Sequence, residues 1–397
     1  MPPRGVLASS DAEVERTPVA KGSTSLYVHV PFCRLVCAYC DFVTVGGRAA
    51  DIPRYVEALL AELALRPLAA APTTVYFGGG TPSLLPAAAI ARLLDAAGAA
   101  SGEVTVEANP GIREAPDWAA LRAAGVNRLS LGAQSLRDAD LVTLARGHTA
   151  GEVRGAYRAA RDAGFENISI DLIYGLPGQS LDDWRAGLGA AVALAPEHLS
   201  LYGLQLALAP DEWSAAPRAG ALRWRRRMVP RQDDDLAAEQ YRAAEDVLES
   251  AGYRHYELSS WARVGFESRH NSACWARHPY LGIGAGAHSF DGATRSWNSR
   301  DLDDYLRRVE AGERPLAGLE TLDEPTRAFE AVALGLRRVA GFSRRAFAVE
   351  FGQDPADRFA AAVHENRRTG LIELTPERMR LTPAGRLLAN EALVAFA

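Results

Sequence analysis

The chain has 397 residues, 48% hydrophobic and 23% charged, the balance of a globular protein long enough for one large domain and a smaller one. Lys+Arg 44 against Asp+Glu 49 leaves a net charge of −5, so no global basic field recruits nucleic acid. No apolar run approaches the roughly 18 residues that cross a bilayer, and the four cysteines, three of them clustered, are not the spread pairs of a secreted disulfide framework. These features predict a reducing, cytoplasmic setting and a metal or redox site.

Residues 1–22 mix Pro3, Arg4, Asp11, Glu13 and Arg16 without an apolar signal core, and read as a disordered arm. From residue 23, short β-branched or aromatic runs at 25–30, 74–77, 103–108, 128–132, 167–173 and 198–204 predict strands. Helical patterns fall between them at 53–65, 86–97, 117–124, 138–145, 150–163 and 181–193, and several helices stop at a glycine such as Gly125 or Gly164. This alternation predicts an α/β fold with a parallel sheet, either doubly wound or closed into a barrel. Polar residues at or just after the strand ends favour a barrel, complete or partial: Cys33 to Cys40, Gly78 to Thr81, Glu107, Asn109, Gln134 and Asp171. Strand ends converge on one face in a barrel, whereas an open sheet concentrates its site in one crevice.

After Gly203 the segment 210–230 reads as a linker carrying Arg223-Trp-Arg-Arg-Arg227, and a helix follows Asp233 to Glu249. From residue 316 the pattern becomes helices at 324–339, 343–350 and 355–368, a strand pair at 371–374 and 379–381, and a last helix at 383–395. This is a winged-helix-like α+β module, and without a basic stripe it reads as a structural or docking domain, not a DNA reader.

The chemistry concentrates in Cys33-x3-Cys37-x2-Cys40. Three thiolates leave one iron of a four-iron cluster open, and open metal positions usually mean chemistry. Zinc would want a fourth ligand from His29, His270 or Cys274, and a redox pair is a further reading. Gly78-Gly79-Gly80-Thr81-Pro82 lets a ligand approach the backbone closely, although a tight turn alone needs glycine. Glu107, Gln134 and Asp171 suit ribose hydroxyls or an ammonium, and Arg146 suits a carboxylate; any one alone reads as a salt bridge or helix cap.

The cysteine loop, with Tyr39 before its last cysteine, resembles the signature of the radical S-adenosylmethionine superfamily. That resemblance implies a [4Fe-4S] cluster on Cys33, Cys37 and Cys40 whose open iron chelates S-adenosylmethionine. Tyr27-Val-His-Val-Pro-Phe-Cys33, Gly78 to Pro82, Glu107-Ala-Asn-Pro110, Gly132-Ala-Gln134 and Asp171-Leu-Ile-Tyr-Gly-Leu-Pro177 resemble one branch of it. The branch holds oxygen-independent coproporphyrinogen III oxidase and a related heme chaperone. The resemblance runs from Ser25 to the C-terminus and implies a partial (β/α)6 TIM-like barrel over 23–315 with the module at 316–397. It implies S-adenosylmethionine contacts at Tyr27, Tyr39, Gly79, Gly80, Thr81, Glu107, Gln134, Arg146 and Asp171.

Three places divide the branch. The oxidase resemblance asks for a further cysteine where Phe42 stands, and for a longer N-terminal region. The chaperone resemblance asks for His-Asn-x-x-Tyr-Trp, which His270-Asn-Ser-Ala-Cys-Trp275 matches except at Cys274. This implies heme as a cofactor, with His270 as axial ligand, Asn271 orienting it and Trp275 over the porphyrin. His278 and His288 are lesser candidates. Against this stands a buried histidine that merely holds a loop to the barrel, with Cys274 a small buried hydrophobe. The Arg223 to Arg227 run is either a partner for heme propionates or, more simply, a solvated loop. The expectation is a heme chaperone that hands heme to an acceptor such as a respiratory enzyme, with peripheral membrane contact left open. The alternative is oxidative decarboxylation of porphyrinogen propionates.

Overall fold

The computed structural model describes residues 25–98, 102–111, 115–206 and 219–397, so the arm expected at 1–22 lies outside the described residues. Strands β1 (Ser25–Val30), β2 (Thr74–Gly79), β3 (Glu103–Ala108), β4 (Arg128–Gln134), β5 (Ile168–Tyr174) and β6 (His198–Gly203) lie side by side in chain order, all parallel. Helices α1 (Ile52–Leu65), α2 (Ala87–Ala96), α3 (Trp118–Ala123), α4 (Asp138–Thr143), α5 (Ala150–Asp162) and α6 (Leu181–Val192) make the returns.

The strands alternate, with Ile173 the aliphatic exception in the polar row of β5. Leu26, Val28 and Val30, Val75 and Phe77, Val104 and Val106, Leu129 and Leu131, and Ile168, Ile170 and Leu172 join the helices in one apolar core. Each such side chain contributes about 1.5–3 kcal/mol on burial. The intervening residues are Tyr27, Tyr76, Thr105, Glu107, Ser130, Asp171 and Ser200, and successive side chains point to opposite faces. A closed barrel is filled by branched aliphatic layers; this interior is hydroxyl, carboxyl and aromatic, which suits a container for a polar ligand.

The barrel is open, as the partial (β/α)6 expectation requires. Beyond its bond to β5, β6 pairs with β8 (Ser260–Ala262), which pairs in turn with β7 (Arg254–Glu257). On the other side β1 pairs in parallel with β9 (Tyr280–Ile283), and β10 (His288–Phe290), β11 (Thr294–Asn298) and β12 (Leu316–Thr321) extend that edge antiparallel. Glu62, with 0% exposure, fixes this edge. It accepts from Gly284 N at 2.8 Å, Asn298 Nδ2 at 2.7 Å, Tyr305 OH at 2.8 Å and Arg66 Nη1 at 3.1 Å.

Two sequence readings need correcting. The linker expected over 210–230 contains a helix, α7 (Ala219–Met228), followed by α8 (Asp234–Ser250). Its Trp224 and Met228 are one helical turn apart and both buried, a pattern too short to stand out among the arginines. Leu316–Thr321, read as the start of the C-terminal module, pairs with β11 in the large sheet. The module itself has the expected shape. Helices α10 (Glu324–Arg337), α11 (Arg344–Phe351), α12 (Pro355–Arg358) and α13 (Ala360–Arg368) precede a wing of β14 (Ile372–Leu374) and β15 (Arg378–Leu381), against which β13 (Phe342–Ser343) pairs. Ala328, Val332, Leu336, Phe347, Met379 and Phe396 are among the residues of its separate core.

Candidate functional site

The cysteine loop leaves the C-terminal end of β1 and is pinned at both ends. Val45 N donates to Pro31 O at 2.8 Å, and Phe32–Cys33 pairs in parallel with Val45–Gly46. The glycine run after β2 lies directly beneath it: Gly80 N donates to Val30 O and Thr81 N to Phe32 O, each at 2.8 Å. A Cβ on Gly80 would stand 2.7 Å from Phe32 O and 2.9 Å from Cys33 Sγ, and Gly79 has φ +118. Both glycines are therefore required by the chain's own packing, before any ligand is considered.

A continuous polar chain links the Cys33 and Cys37 thiols to three strand tips. Thr81 Oγ1 lies 3.8 Å from Cys33 Sγ and accepts from Asn109 Nδ2 at 2.9 Å. Arg146 donates through Nη2 to Asn109 Oδ1 at 2.7 Å and Gly132 O at 3.0 Å. Its Nη1 reaches Cys37 Sγ at 3.0 Å and Tyr39 OH at 3.3 Å. Beside this chain lies a cavity of about 710 Å³ whose walls include Cys33, Cys37, Asn109, Arg146 and His148. Burial pushes the Cys40 thiol up to about 11, so a metal binding there must displace a proton.

Among the described residues no group of three His, Cys, Asp or Glu side chains converges as a single ion would require. An iron–sulfur cluster takes one thiolate per iron, so its ligands stand apart. Three half-buried thiols on one loop, with the Thr81 hydroxyl and the Arg146 guanidinium as neighbours, fit such an anionic cluster.

Deeper in the barrel, Glu107 accepts from Tyr76 OH at 2.7 Å and Gly79 N at 3.0 Å. Enclosure first, and nearby Asp171 second, push its carboxyl up to about 7, against the pull of those two donors. Asp171 lies in the middle of β5, not at its tip; it accepts from Ser130 Oγ at 2.8 Å and Ser169 Oγ at 3.0 Å, and burial raises its pKa. Gln134 ends β4 at φ +65, a left-handed backbone that turns the strand end out of register. His29 Nε2 lies 2.8 Å from Val43 O, an acceptor only, so Nε2 carries the proton and Nδ1 accepts from Tyr27 OH at 3.0 Å. Burial holds this imidazole down at about 4.

The structure thus connects Cys33, Cys37, Tyr39, Thr81 and Arg146 in one network and Gly79 with Glu107 in a second beside it. Tyr27 borders the second through its ring, 6.2 Å from that of Tyr76. Asn109, expected only as one polar residue at a strand end, joins the first network through Thr81 and Arg146, and His29, expected only as an alternative zinc ligand, bridges Tyr27 OH and Val43 O.

His270, Asn271, Cys274 and Trp275 lie elsewhere. They form α9 (Arg269–Trp275), at the opposite, N-terminal ends of the strands. Glu103, first residue of β3, accepts from Arg269 N and His270 N at 3.0 Å each. His270 is 5% exposed, its Nδ1 2.9 Å from Thr74 Oγ1, and its ring packs 5.1 Å from that of Tyr76. Burial pushes it down to about 3. Cys274 is held up at about 11 by burial, and Trp275 lies under the Arg337 guanidinium at 4.4 Å. His278 is half-buried near Arg338, which with burial lowers its pKa. His288 is exposed and stacks on Trp297 with ring centres 5.9 Å apart.

The arginine run corrects the solvated-loop reading. On α7, Arg225 is 4% exposed and donates from Nε to Ala38 O at 3.2 Å, from Nη2 to Tyr39 O at 3.1 Å, and to the Asp41 carboxylate. Trp224 Nε1 donates to Thr143 O at 3.0 Å, and Trp224 and Met228 pack with Ala38 and Tyr39.

An open βα barrel with a three-cysteine loop after its first strand defines a class, and the sequence agrees: residues 27–187 match the radical SAM superfamily and residues 322–388 the HemN C-terminal domain. The chain is a radical SAM protein. Its fold is that of coproporphyrinogen III oxidase (HemN) from Escherichia coli, with TM-score 0.80 at 24% identity over 95% of this chain and 90% of that one. Over 382 residues it is 33% identical to heme chaperone HemW of Bacillus subtilis, covering 94% of this chain and 98% of that protein. It is 38% identical to heme chaperone HemW of Mycobacterium tuberculosis, covering 92% of each. The chain belongs to the HemW family.

Proposed function

We propose that this protein binds heme and passes it to an acceptor hemoprotein, such as a respiratory enzyme, while carrying a [4Fe-4S] cluster and S-adenosylmethionine. The observation that carries this reading is the near full-length match to proteins named heme chaperone HemW. Phe42 supports it, standing 67% exposed where the oxidase resemblance asks for a cysteine.

In this reading Cys33, Cys37 and Cys40 hold the cluster, which when bound supplies the electron that cleaves the S-adenosylmethionine sulfonium. Arg146 orients a carboxylate beside Cys37. Gly79, Gly80 and Thr81 border the cofactor's methionyl end, and Glu107 in its charged form attracts a cationic group. Tyr27, Tyr39, Gln134 and Asp171 complete the pocket wall. His270, Asn271, Cys274 and Trp275 are the proposed heme contacts; Cys274 and Trp275 keep some accessible surface, whereas His270 reaches a ligand only if the lower barrel end opens. A division into the barrel with its extension and a C-terminal module is proposed on the two separate cores, with the boundary after Thr321, the last residue of the large sheet. No described helix is long and apolar enough to cross a membrane. The cytoplasm is the proposed location, on the clustered cysteines.

The test is anaerobic reconstitution, then hemin titration and a coproporphyrinogen III assay on the same preparation. Saturable heme capture without decarboxylation supports the chaperone. Sustained carbon dioxide release from the porphyrinogen propionates overturns it in favour of the oxidase.

A further inference from the structure

We infer that Arg225 is a positioning residue for the cluster: from helix α7 it fixes the backbone around Cys40 and balances the charge beside it. The argument begins with where its bonds go. Its three acceptors are Ala38 O, Tyr39 O and the Asp41 carboxylate. These are the two residues before the third cysteine and the one after it. One planar guanidinium therefore brackets Cys40, and a fork with fixed geometry restricts the chain more than a single contact would.

The helix that carries Arg225 is itself held. Trp224 Nε1 donates to Thr143 O at the end of α4, and Trp224 and Met228 sit in an apolar cluster with Leu144, Ile173, Leu176, Leu204 and Leu206. Ala38 and Tyr39 pack onto this same cluster. The loop is thus gripped twice by different elements: Arg146 binds Cys37 Sγ from the strand-tip side, and Arg225 binds the Cys40 turn from α7. Cys40 N also donates to Cys37 O at 3.2 Å, so holding one cysteine restrains the other.

Charge gives the second half of the argument. Arg225 and Asp41 form an ion pair next to a cluster ligand, with the arginine at 4% exposure. A cluster gains negative charge on reduction, and groups around its ligands tune its potential. Removing the arginine leaves the Asp41 carboxylate uncompensated and disfavours the reduced cluster. Removing the carboxylate leaves the arginine and favours it. Opposite shifts from the two partners are not what a general loosening of the loop produces.

The inference rests on the cysteine loop holding the cluster, so a control is included. The full chain is reconstituted anaerobically as wild type, Arg225→Ala, Arg225→Lys, Asp41→Asn and Cys37→Ala. Iron and sulfide per chain, the rate of cluster loss to a chelator, and the midpoint potential from an EPR-monitored titration are measured. Arg225→Ala is expected to lose its cluster roughly tenfold faster, the factor one charge-assisted hydrogen bond represents, with a more negative potential. Arg225→Lys keeps the charge but not the fork, so its potential stays near wild type while its loss rate rises. Asp41→Asn shifts the potential positive. If Arg225→Ala does not fold, Arg225→Lys and Asp41→Asn carry the test. Wild-type loss rate and potential in Arg225→Ala beside an iron-free Cys37→Ala, or shifts of the same sign from Arg225→Ala and Asp41→Asn, overturn the role of Arg225 alone. A Cys37→Ala chain that keeps its iron overturns the cysteine assignment as well.

Discussion

Replacing Glu107 by Gln should remove a pH dependence from the fold. The carboxyl ordinarily titrates at 4.5 and is held at about 7 inside the barrel. Between those values the folded chain keeps a proton that the unfolded chain has released, so stability falls as pH rises through this window and levels off above about pH 7. The displacement corresponds to about 3 kcal/mol of penalty on the charged form. Glutamine cannot ionise. It also gives up one of the two acceptors that serve Tyr76 OH and Gly79 N, at a pH-independent cost of about 1 kcal/mol. The measurement is urea unfolding of the metal-free wild type and variant at pH 4.5, 6, 7 and 8.5, read as a difference so that other groups cancel. The variant should be the less stable at low pH, and the order should reverse on the alkaline side. A difference constant across the series would refute the raised pKa and the enclosure that explains it. The same protonation predicts that a cationic ligand at Glu107 binds more tightly as pH rises through about 7, measurable by titration calorimetry with S-adenosylmethionine.

Gly80→Ala should push the Cys33 strand away from the β2 turn, costing about 1–3 kcal/mol and lowering iron retention after reconstitution; a full iron complement with unchanged melting would count against the close approach. Glu62→Gln removes the charge that answers Arg66 at the buried edge of the sheet, and roughly 3 kcal/mol of destabilisation is expected by urea unfolding. His270→Ala should cost about 2–4 kcal/mol from the cavity and the lost partner of Thr74. Its hemin titration separates the two readings of this histidine: an unchanged Soret band and affinity leave only the structural role.

The six barrel strands were legible because each alternates branched apolar residues with polar ones, and the first five are followed by helical patterns, several of which stop at a glycine. That the three cysteines share one loop was legible from their spacing alone. Strand β9 was not: Tyr280–Ile283 is four residues long with a glycine inside, and its partner β1 lies at the other end of the chain. Arg225 was hidden for a different reason. Five residues of which four are arginine look solvated, and only the phase of the helix, with Trp224 and Met228 on one side, turns one of them inward. The place of His270 was equally illegible, because the motif names residue types but not the barrel end to which α9 returns.

The pinned cysteine loop has a consequence for the order of events in maturation. Its ends at Pro31 and Val45 are closed by backbone pairing, and its base by the Gly80 and Thr81 amides. The entropic cost of closing the loop is therefore met by sheet formation, not by the metal. A zinc finger needs its ion in order to fold; here the barrel supplies a finished frame, and the cluster has only the interior of one loop left to order. In the proposed reading, iron would arrive late, on an already folded chain, and its loss would leave the frame in place.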